Sequence, residues 1–361
     1  MAVIVLTGCT SLGPQVIRQE QRPYNEALVY SWKEQLLLNL VRLKYRDDPY
    51  FIEVTGITSN HSIDLSVAAT AKFPEMSKPV SQEVKAGVAY RNQPVITYVP
   101  LQGECYVKKL LSPIPLKMIM ALTNSGWSIE RVLNVCVQEI NGIYNAVSAG
   151  CPTPEIAPEY KDFERLTRNL RTLQLANLLA AGDDPCYDPT APENLVEPGK
   201  DLYMKIIRGR GHDQLIYEVL TTMRVDPAAE MYVFSTNPMS CDCPNKIKIR
   251  PRTFLGALYY LSQAVQVPQA HIDAGLVTVT MCEDGKPCDW SEIIGEDMRI
   301  LSQCDEPRCA AVKVCYGGYW FYIDDRDLDS KSTFMLLSKL FNIQAASTAG
   351  GTPPQLTIPL R

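Results

Sequence analysis

The amino-acid sequence predicts an α+β fold. A helix-rich N-terminal region with a small antiparallel sheet precedes a C-terminal mixed α/β region that ends in a hairpin and a helix. Apolar residues recur at three- and four-residue spacing over 25–46, which is typical of an amphipathic helix. Between 51 and 99, apolar residues alternate with polar or small ones, which is typical of strands. Beyond residue 201, strand-like and helix-like segments alternate, which indicates a mixed sheet.

The N-terminal region begins with a predicted helix, Asn25–Arg46, which Asp47-Asp48-Pro49 ends because proline cannot continue it. We expect its apolar stripe to face the core: Val29, Trp32, Leu36, Leu37, Leu40, Val41 and Leu43. Strands are predicted at 51–55, 63–69, 84–90 and 94–99, as a three- or four-stranded antiparallel sheet packed on this helix. Further helices are predicted at 105–111, 115–123, 128–144 and 160–181, with Ser128 as an N-cap.

The C-terminal region is predicted to alternate between the two kinds of element. Strands are expected at 202–207, 230–235, 246–250, 276–281, 310–316 and 319–323. Helices are expected at 212–223, 253–265 and 331–345, the last capped by Asp329 or Ser330. Gly317-Gly318 predicts a hairpin turn, because such turns need residues that adopt positive φ.

Several prolines lie close together in residues 182–200, between the two regions. They predict a linker without regular structure. The predicted organisation is a short segment at 1–9 that ends at Cys9, a tether at 10–23, a helical domain with an antiparallel sheet at 24–181, a Pro-rich linker at 182–200, a mixed α/β domain at 201–346 and a tail at 347–361.

The first residues resemble the end of a bacterial lipoprotein signal. Leu6-Thr-Gly-Cys9 has the aliphatic residue, the two small residues and the cysteine of a lipobox, so Cys9 is the predicted site of lipid attachment. In the lipoproteins that this segment resembles, a residue other than aspartate after the cysteine, here Thr10, implies the outer membrane and not the inner one. Only Ala2–Leu6 are apolar and no lysine or arginine precedes Cys9, so we infer a truncated signal.

The competing interpretation is the first strand of a dinucleotide-binding enzyme, because Val3–Gly13 contains Thr-Gly followed by a second glycine. That second glycine lies one residue too late for the Thr-Gly-x-x-x-Gly spacing, on which close approach to a pyrophosphate depends. None of the tyrosines has a lysine four residues on, although short-chain dehydrogenases need this pair. The lipoprotein interpretation is therefore favoured.

Composition limits the partners. The 361 residues carry a formal net charge of −5 and no block of lysine or arginine, so nucleic acid is not an expected partner. No apolar run approaches the roughly eighteen residues of a membrane-spanning helix. The expected membrane contact is therefore the lipid anchor, and no cofactor is expected.

The twelve cysteines suit an exported protein, in which disulfides persist. Small local loops are the expected places, and the candidate pairs are Cys282 with Cys288 and Cys304 with Cys309. A zinc site is the alternative. Of the C-terminal cysteine pairs only Cys304 and Cys309 have a zinc-like spacing, and no histidine lies nearby, so no metal site is predicted.

Arg208-Gly-Arg-Gly-His212 is the candidate ligand site. Two guanidinium groups, two glycines and a following helix N-terminus are suited to a small anion, so Arg208, Arg210 and His212 are the predicted ligand-binding residues. The alternative interpretation is a glycine-rich turn between a strand and a helix.

Asp324-Asp-Arg-Asp-Leu-Asp329 suggests either a cation or acid/base site or a polar turn that caps the last helix. Ser330 and Leu336 stand where an EF-hand loop needs glycine and glutamate. The chain has three histidines and no Gly-x-Ser-x-Gly elbow, so no catalytic residue is predicted. The hairpin aromatics are assigned to core packing on one face and to packing or a sugar or protein contact on the other: Tyr316, Tyr319, Trp320, Phe321 and Tyr322.

Two segments, Trp32–Asp47 (WKEQLLLNLVRLKYRD) and Trp320–Phe334 (WFYIDDRDLDSKSTF), resemble an uncharacterised family of bacterial lipobox-bearing envelope lipoproteins. The resemblance covers most of the chain after Cys9. It implies a location in the cell envelope and no particular activity.

The sequence therefore favours a lipid-anchored protein on the periplasmic face of the outer membrane, with a structural or adaptor role among envelope proteins. An enzyme is the less favoured class. The alternative is a ligand-binding or hydrolytic domain in 201–346 that recognises a small anion. An adaptor predicts an extended apolar or aromatic surface, whereas an enzyme predicts arginines or aspartates that converge in a cleft.

Overall fold

The computed structural model describes residues 12–58, 61–71, 82–92, 95–101, 103–183, 202–240, 243–295 and 297–346. It confirms the α+β class, with antiparallel strand pairing near the N-terminus and a mixed sheet later in the chain. Within these residues, no helix is both long and apolar enough to cross a membrane. Cys9 lies outside the described residues, so lipid attachment there stays a prediction.

The chain forms two compact units, divided differently from the sequence prediction. The first contains the described residues 12–50 and 103–346, and the second contains the strands between Phe51 and Leu101. The predicted boundary at 182–200 does not separate compact units, because the strands on either side of it pair with each other in one sheet.

Helix α1 spans Leu12–Lys44, so it begins within the segment that the sequence assigned to a tether and before the predicted start at Asn25. Its C-terminal part forms core, as predicted, and the buried residues are Leu36, Leu37, Leu40, Val41 and Leu43. Leu28 and Val29 are exposed, so the N-terminal end of the apolar stripe is not covered by the core.

Helix α1 ends in a Schellman motif, which satisfies its last carbonyl groups. Arg46 adopts a left-handed φ of 65°. Its amide donates to the Leu43 carbonyl at 3.1 Å, and the Asp47 amide donates to the Arg42 carbonyl at 2.9 Å. This reversal follows directly after Lys44 and Tyr45. Lys44 lines a cavity, and Tyr45 packs against Tyr316 and His271.

The first unit contains a six-stranded mixed sheet. Its strands are β5 (Val137–Ile140), β6 (Ile143–Tyr144), β7 (Leu179–Asp183), β8 (Leu202–Ile206), β9 (Met231–Ser235) and β10 (Lys246–Pro251). Their order is β6-β5-β10-β9-β8-β7. The β9–β10 pair is parallel and the other pairs are antiparallel. Strands β5, β6 and β7 lie largely where the C-terminal parts of two helices were predicted. Each pairs with another strand, and this pairing outweighs local helix propensity.

Six helices precede or accompany this sheet: α2 (Glu104–Leu111), α3 (Leu116–Asn124), α4 (Ile129–Cys136), α5 (Lys161–Leu175), α6 (Asp213–Thr222) and α7 (Phe254–Ser262). Ser128 caps α4 as predicted, through a bond from the Arg131 amide. Helix α4 ends eight residues before the predicted end at Tyr144. The predicted helix at 160–181 also ends early, and Asn177 adopts a φ of 55° before β7.

The remaining elements of this unit are two short helices, α8 (Gln269–Asp273) and α9 (Trp290–Ile294), an antiparallel sheet of order β11-β13-β12, and the last helix. Their ranges are β11 (Leu301–Gln303), β12 (Ala310–Tyr316), β13 (Tyr319–Asp324) and α10 (Leu328–Ala346). The predicted Gly317-Gly318 hairpin is confirmed. The predicted strand at 276–281 makes only isolated bridges at Met281. Helix α1 packs on β12 and α7.

The second unit consists of antiparallel ladders, with strands β1 (Ile52–Thr58), β2 (His61–Ala71), β3 (Gln82–Asn92) and β4 (Val95–Pro100). Strand β1 pairs with β4, and β2 pairs with β3. Thr58 pairs with Val95 and His61 with Asn92, so the residue pairing of the β2–β3 ladder continues that of the β1–β4 ladder without an offset. The four strands thus form two-stranded ladders and not the predicted sheet of three or four strands.

Candidate functional site

The residues predicted to hold an anion do not converge. Arg208 donates from its guanidinium to the carbonyl oxygens of Pro227 and Ala229, the latter at 3.0 Å. Arg210 is exposed. The His212 ring contacts the Arg210 carbonyl at 3.2 Å. The carboxylate of Asp213 accepts from the Gly209 amide at 2.9 Å, at the helix N-terminus where an anion would bind. This geometry favours the alternative, a strand-to-helix turn.

The aspartates of 324–329 are engaged in separate contacts. Asp327 accepts from the Ser330 amide at 3.1 Å and from the Arg299 guanidinium at 3.0 Å, which makes it the cap of α10 in place of the predicted Asp329 or Ser330. Asp325 pairs with Lys331 at 2.7 Å. No group of three potential metal ligands exists among the described residues.

Asp329 belongs to a different network. Its carboxylate lies 2.5 Å from the Arg131 guanidinium, which also lies 3.6 Å from Asp297. Asp297 is half-buried, and desolvation raises the pKa of its carboxyl group while Asn134 and Arg131 lower it. The network ties α4 to the start of α10, so it fits a structural role.

The four cysteines predicted to form disulfides, Cys282, Cys288, Cys304 and Cys309, are free thiols in this structure. The thiols of Cys282 and Cys288 are nevertheless close enough to form a hydrogen bond. A tight turn brings them together, in which the Cys282 amide donates to the Lys286 carbonyl and the Cys288 amide donates to the Thr280 carbonyl. Burial, followed by the neighbouring Cys282, raises the pKa of the Cys288 thiol to about 12. A raised pKa lowers the fraction of thiolate, which is the nucleophilic form of cysteine.

The aromatic hairpin β12–β13 packs around the end of α1. The Tyr45 ring lies 5.1 Å from Tyr316, and His271 lies 4.9 Å from Tyr319. The Tyr45 hydroxyl lies 2.7 Å from His271 Nδ1. Desolvation raises the pKa of Tyr45 to about 12, so the hydroxyl stays protonated beside the ring. Phe321 is buried as core. These contacts favour the packing interpretation of the hairpin aromatics.

Gly317 is required at the tip of this hairpin. It adopts a φ of 56°, and a Cβ at this position would lie 3.0 Å from His271 Cε1. The positive φ strains any residue other than glycine, and a Cβ would also require the His271 ring to shift.

The sequence assigned Lys44 only to a helix, but its side chain lines a cavity of about 450 Å³. The residue is 5% exposed. Its ammonium lies 2.8 Å from Gln263 Oε1 and 5.7 Å from the centre of the Trp290 ring. Desolvation lowers the pKa of Lys44 to about 8. A lysine late in a helix is a common sequence feature, so no sequence signal distinguishes this one.

Strand β4 presents a continuous apolar surface in the described part of the second unit. All six of its residues are exposed, including Val95, Ile96, Tyr98 and Val99. The strand VITYVP has no charged residue. Its partner β1 contains Glu53 and a register shift between Val54 and Gly56. The sequence predicted this strand at 94–99.

The chain matches no protein-family model, no curated protein and no solved structure. Its function is therefore inferred from its residues and their geometry.

Proposed function

We propose that this chain is a structural protein of an envelope assembly, in which two copies associate through the β4 edges and a lipid on Cys9 holds them at the periplasmic face of the outer membrane. The observation that carries the association is the exposure of β4 along its whole length without a charged residue. Monomeric proteins usually protect edge strands with charges, prolines or bulges. Within β4 the only charged residue or proline is the terminal Pro100.

A second copy is the partner that β4 fits best. Two identical strands pair antiparallel about a two-fold axis, which makes the contact self-complementary. Tyr98 and Val99 then supply apolar area, and no like charges oppose each other within the pair. Among the described strands β4 pairs only with β1, and a two-stranded ribbon is marginally stable alone. Pairing would extend the β1–β4 ladder to four strands.

We expect Tyr98→Lys to weaken self-association at least tenfold. The substitution places two lysines close together across the two-fold axis, and like charges in such an interface cost several kcal/mol. Sedimentation velocity over a concentration series would measure the dissociation constant.

Tyr217→Lys is the matched control. Tyr217 is 61% exposed on α6 and Tyr98 is 58% exposed, so both variants remove a similar apolar surface and add the same charge. The control is expected to associate like the unaltered chain. A monomer at every concentration, or equal weakening by both substitutions, would contradict the proposed interface.

The anchor makes a separate prediction. When the protein is expressed in bacteria behind a complete lipoprotein signal that ends at Cys9, we expect the mature chain to begin at Cys9, to carry acyl chains and to sediment with the outer membrane. Several acyl chains bind a bilayer stably because each buried methylene contributes about 0.8 kcal/mol. Cys9→Ser should move the protein to the soluble periplasmic fraction. Intact-mass spectrometry that finds an unmodified Cys9 in a cytosolic fraction would end this part of the proposal.

The alternative, recognition of a small anion by Arg208, Arg210 and His212, has less support. Arg208 is directed to backbone carbonyl groups and Asp213 places a carboxylate at the helix N-terminus. An anion would have to displace both contacts.

A further inference from the structure

The cavity beside Lys44 combines apolar walls with one buried cation. Its volume of about 450 Å³ lies within the range of small-molecule sites. Apolar side chains dominate the walls, among them Val265, Val267, Val277, Ile294, Met298 and Ile300. Such walls suit the apolar body of a ligand, because its transfer from water is favourable.

The polar end of the cavity is held in place by hydrogen bonds. Gln263 Nε2 lies 3.3 Å from the Tyr259 carbonyl, which turns Oε1 towards Lys44. The Trp290 indole donates to Thr280 Oγ1 at 3.1 Å, and Thr280 donates to the Pro154 carbonyl at 2.6 Å. The ring that faces the ammonium is therefore fixed before any ligand arrives, which lowers the entropic cost of binding.

The Lys44 ammonium has unused hydrogen-bonding capacity. It carries three N–H donors, and Gln263 is its one hydrogen-bond acceptor among the residues that the structure describes. No carboxylate in that part of the chain forms an ion pair with it. Asp289 also lines the cavity, but its carboxylate accepts from the Ser291 amide at 2.8 Å as the cap of α9. A buried cation of this kind is costly unless an anion completes its surroundings.

We propose that this cavity binds a small carboxylic acid with an apolar body. The carboxylate accepts hydrogen bonds from the Lys44 ammonium, and the apolar body lies along the valine and isoleucine walls. Arg299 also lines the cavity, but its guanidinium is paired with Asp327 at 3.0 Å, so Lys44 is the buried cation that a single negative charge would match. The lowered pKa still leaves the amine mostly protonated at pH 7, so the cation is present for binding.

Octanoate is a suitable probe, because it has one carboxylate and an unbranched apolar chain. We expect calorimetric titration to show octanoate binding to the full chain. Hexanoate, which is two methylenes shorter, should bind about 9- to 16-fold more weakly, since each methylene changes affinity about three- to fourfold. Lys44→Met should weaken octanoate binding about 10- to 100-fold, the usual effect of losing a hydrogen bond to a charged group.

Two controls separate the site from general effects. Lys108→Met removes a lysine whose side chain is 67% exposed on α2, and it should leave octanoate binding unchanged. 1-Octanol, which has the same chain length and no charge, should bind the unaltered protein and Lys44→Met with similar affinity. Thermal unfolding of Lys44→Met would establish that it is folded. The proposal is overturned by the absence of octanoate binding, or by equal octanoate affinities of the unaltered chain and the Lys44→Met variant.

Discussion

Replacing Lys44 by methionine is expected to stabilise the folded protein by about 1–3 kcal/mol at pH 7. The residue is 5% exposed, and desolvation lowers the pKa of its ammonium from 10.5 to about 8. Methionine has a similar length, carries no charge and packs well in irregular apolar space. The substitution leaves Gln263 without its buried partner, which reduces the gain and explains the width of the expected range.

The pH dependence of this effect has a definite sign. Between pH 8 and 10.5 the unfolded chain holds a proton on Lys44 that the folded chain has lost, so the stability of the unaltered protein rises with pH in this window. Lys44→Met has no such proton. Its stability advantage should therefore shrink by roughly 3 kcal/mol from pH 7 to pH 10.5.

Urea unfolding of both proteins at several pH values would measure this difference. The tyrosines with raised pKa values, such as Tyr45 and Tyr106, also titrate near this window. Their contributions are common to both proteins and cancel in the comparison. A stability gap that stays constant from pH 7 to pH 10.5 would mean that Lys44 is solvated in solution.

Leu40→Ala is expected to lower the free energy of unfolding by about 2–5 kcal/mol. Leu40 is completely buried in α1, which packs on β12 and α7. Removing its branched methyl groups loses apolar burial and leaves a cavity that rigid neighbours fill only in part. Chemical denaturation with an unchanged m-value would identify the loss as one of stability.

Leu28→Ala is the control in the same helix. Leu28 is 37% exposed, and alanine has the higher helix propensity, so its effect should stay within about 0.5 kcal/mol. Equal losses from both substitutions would mean that the N-terminal part of α1 is covered in solution, for example by another protein.

The helix predicted at 128–144 begins where the sequence indicates but ends earlier. Its start at Ser128 is confirmed because an N-cap depends on one side chain and the next turn. Its end is not, because the chain turns at Asn141 and Gly142 with φ values of 47° and 78°. Asn-Gly is the strongest short hairpin signal, so the sequence itself contains the signal for this turn.

The sequence by itself determined the features that depend on neighbouring residues: the α+β class, the buried stripe of α1, the Gly317-Gly318 turn and most strands. The tertiary structure alone decided that β7 and β8 pair across the Pro-rich segment, that Lys44 lines a cavity and that β4 is exposed. Helix and turn preferences arise within a few residues. Strand pairing and the surroundings of a buried charge depend on residues distant in the chain, because tertiary packing sets both.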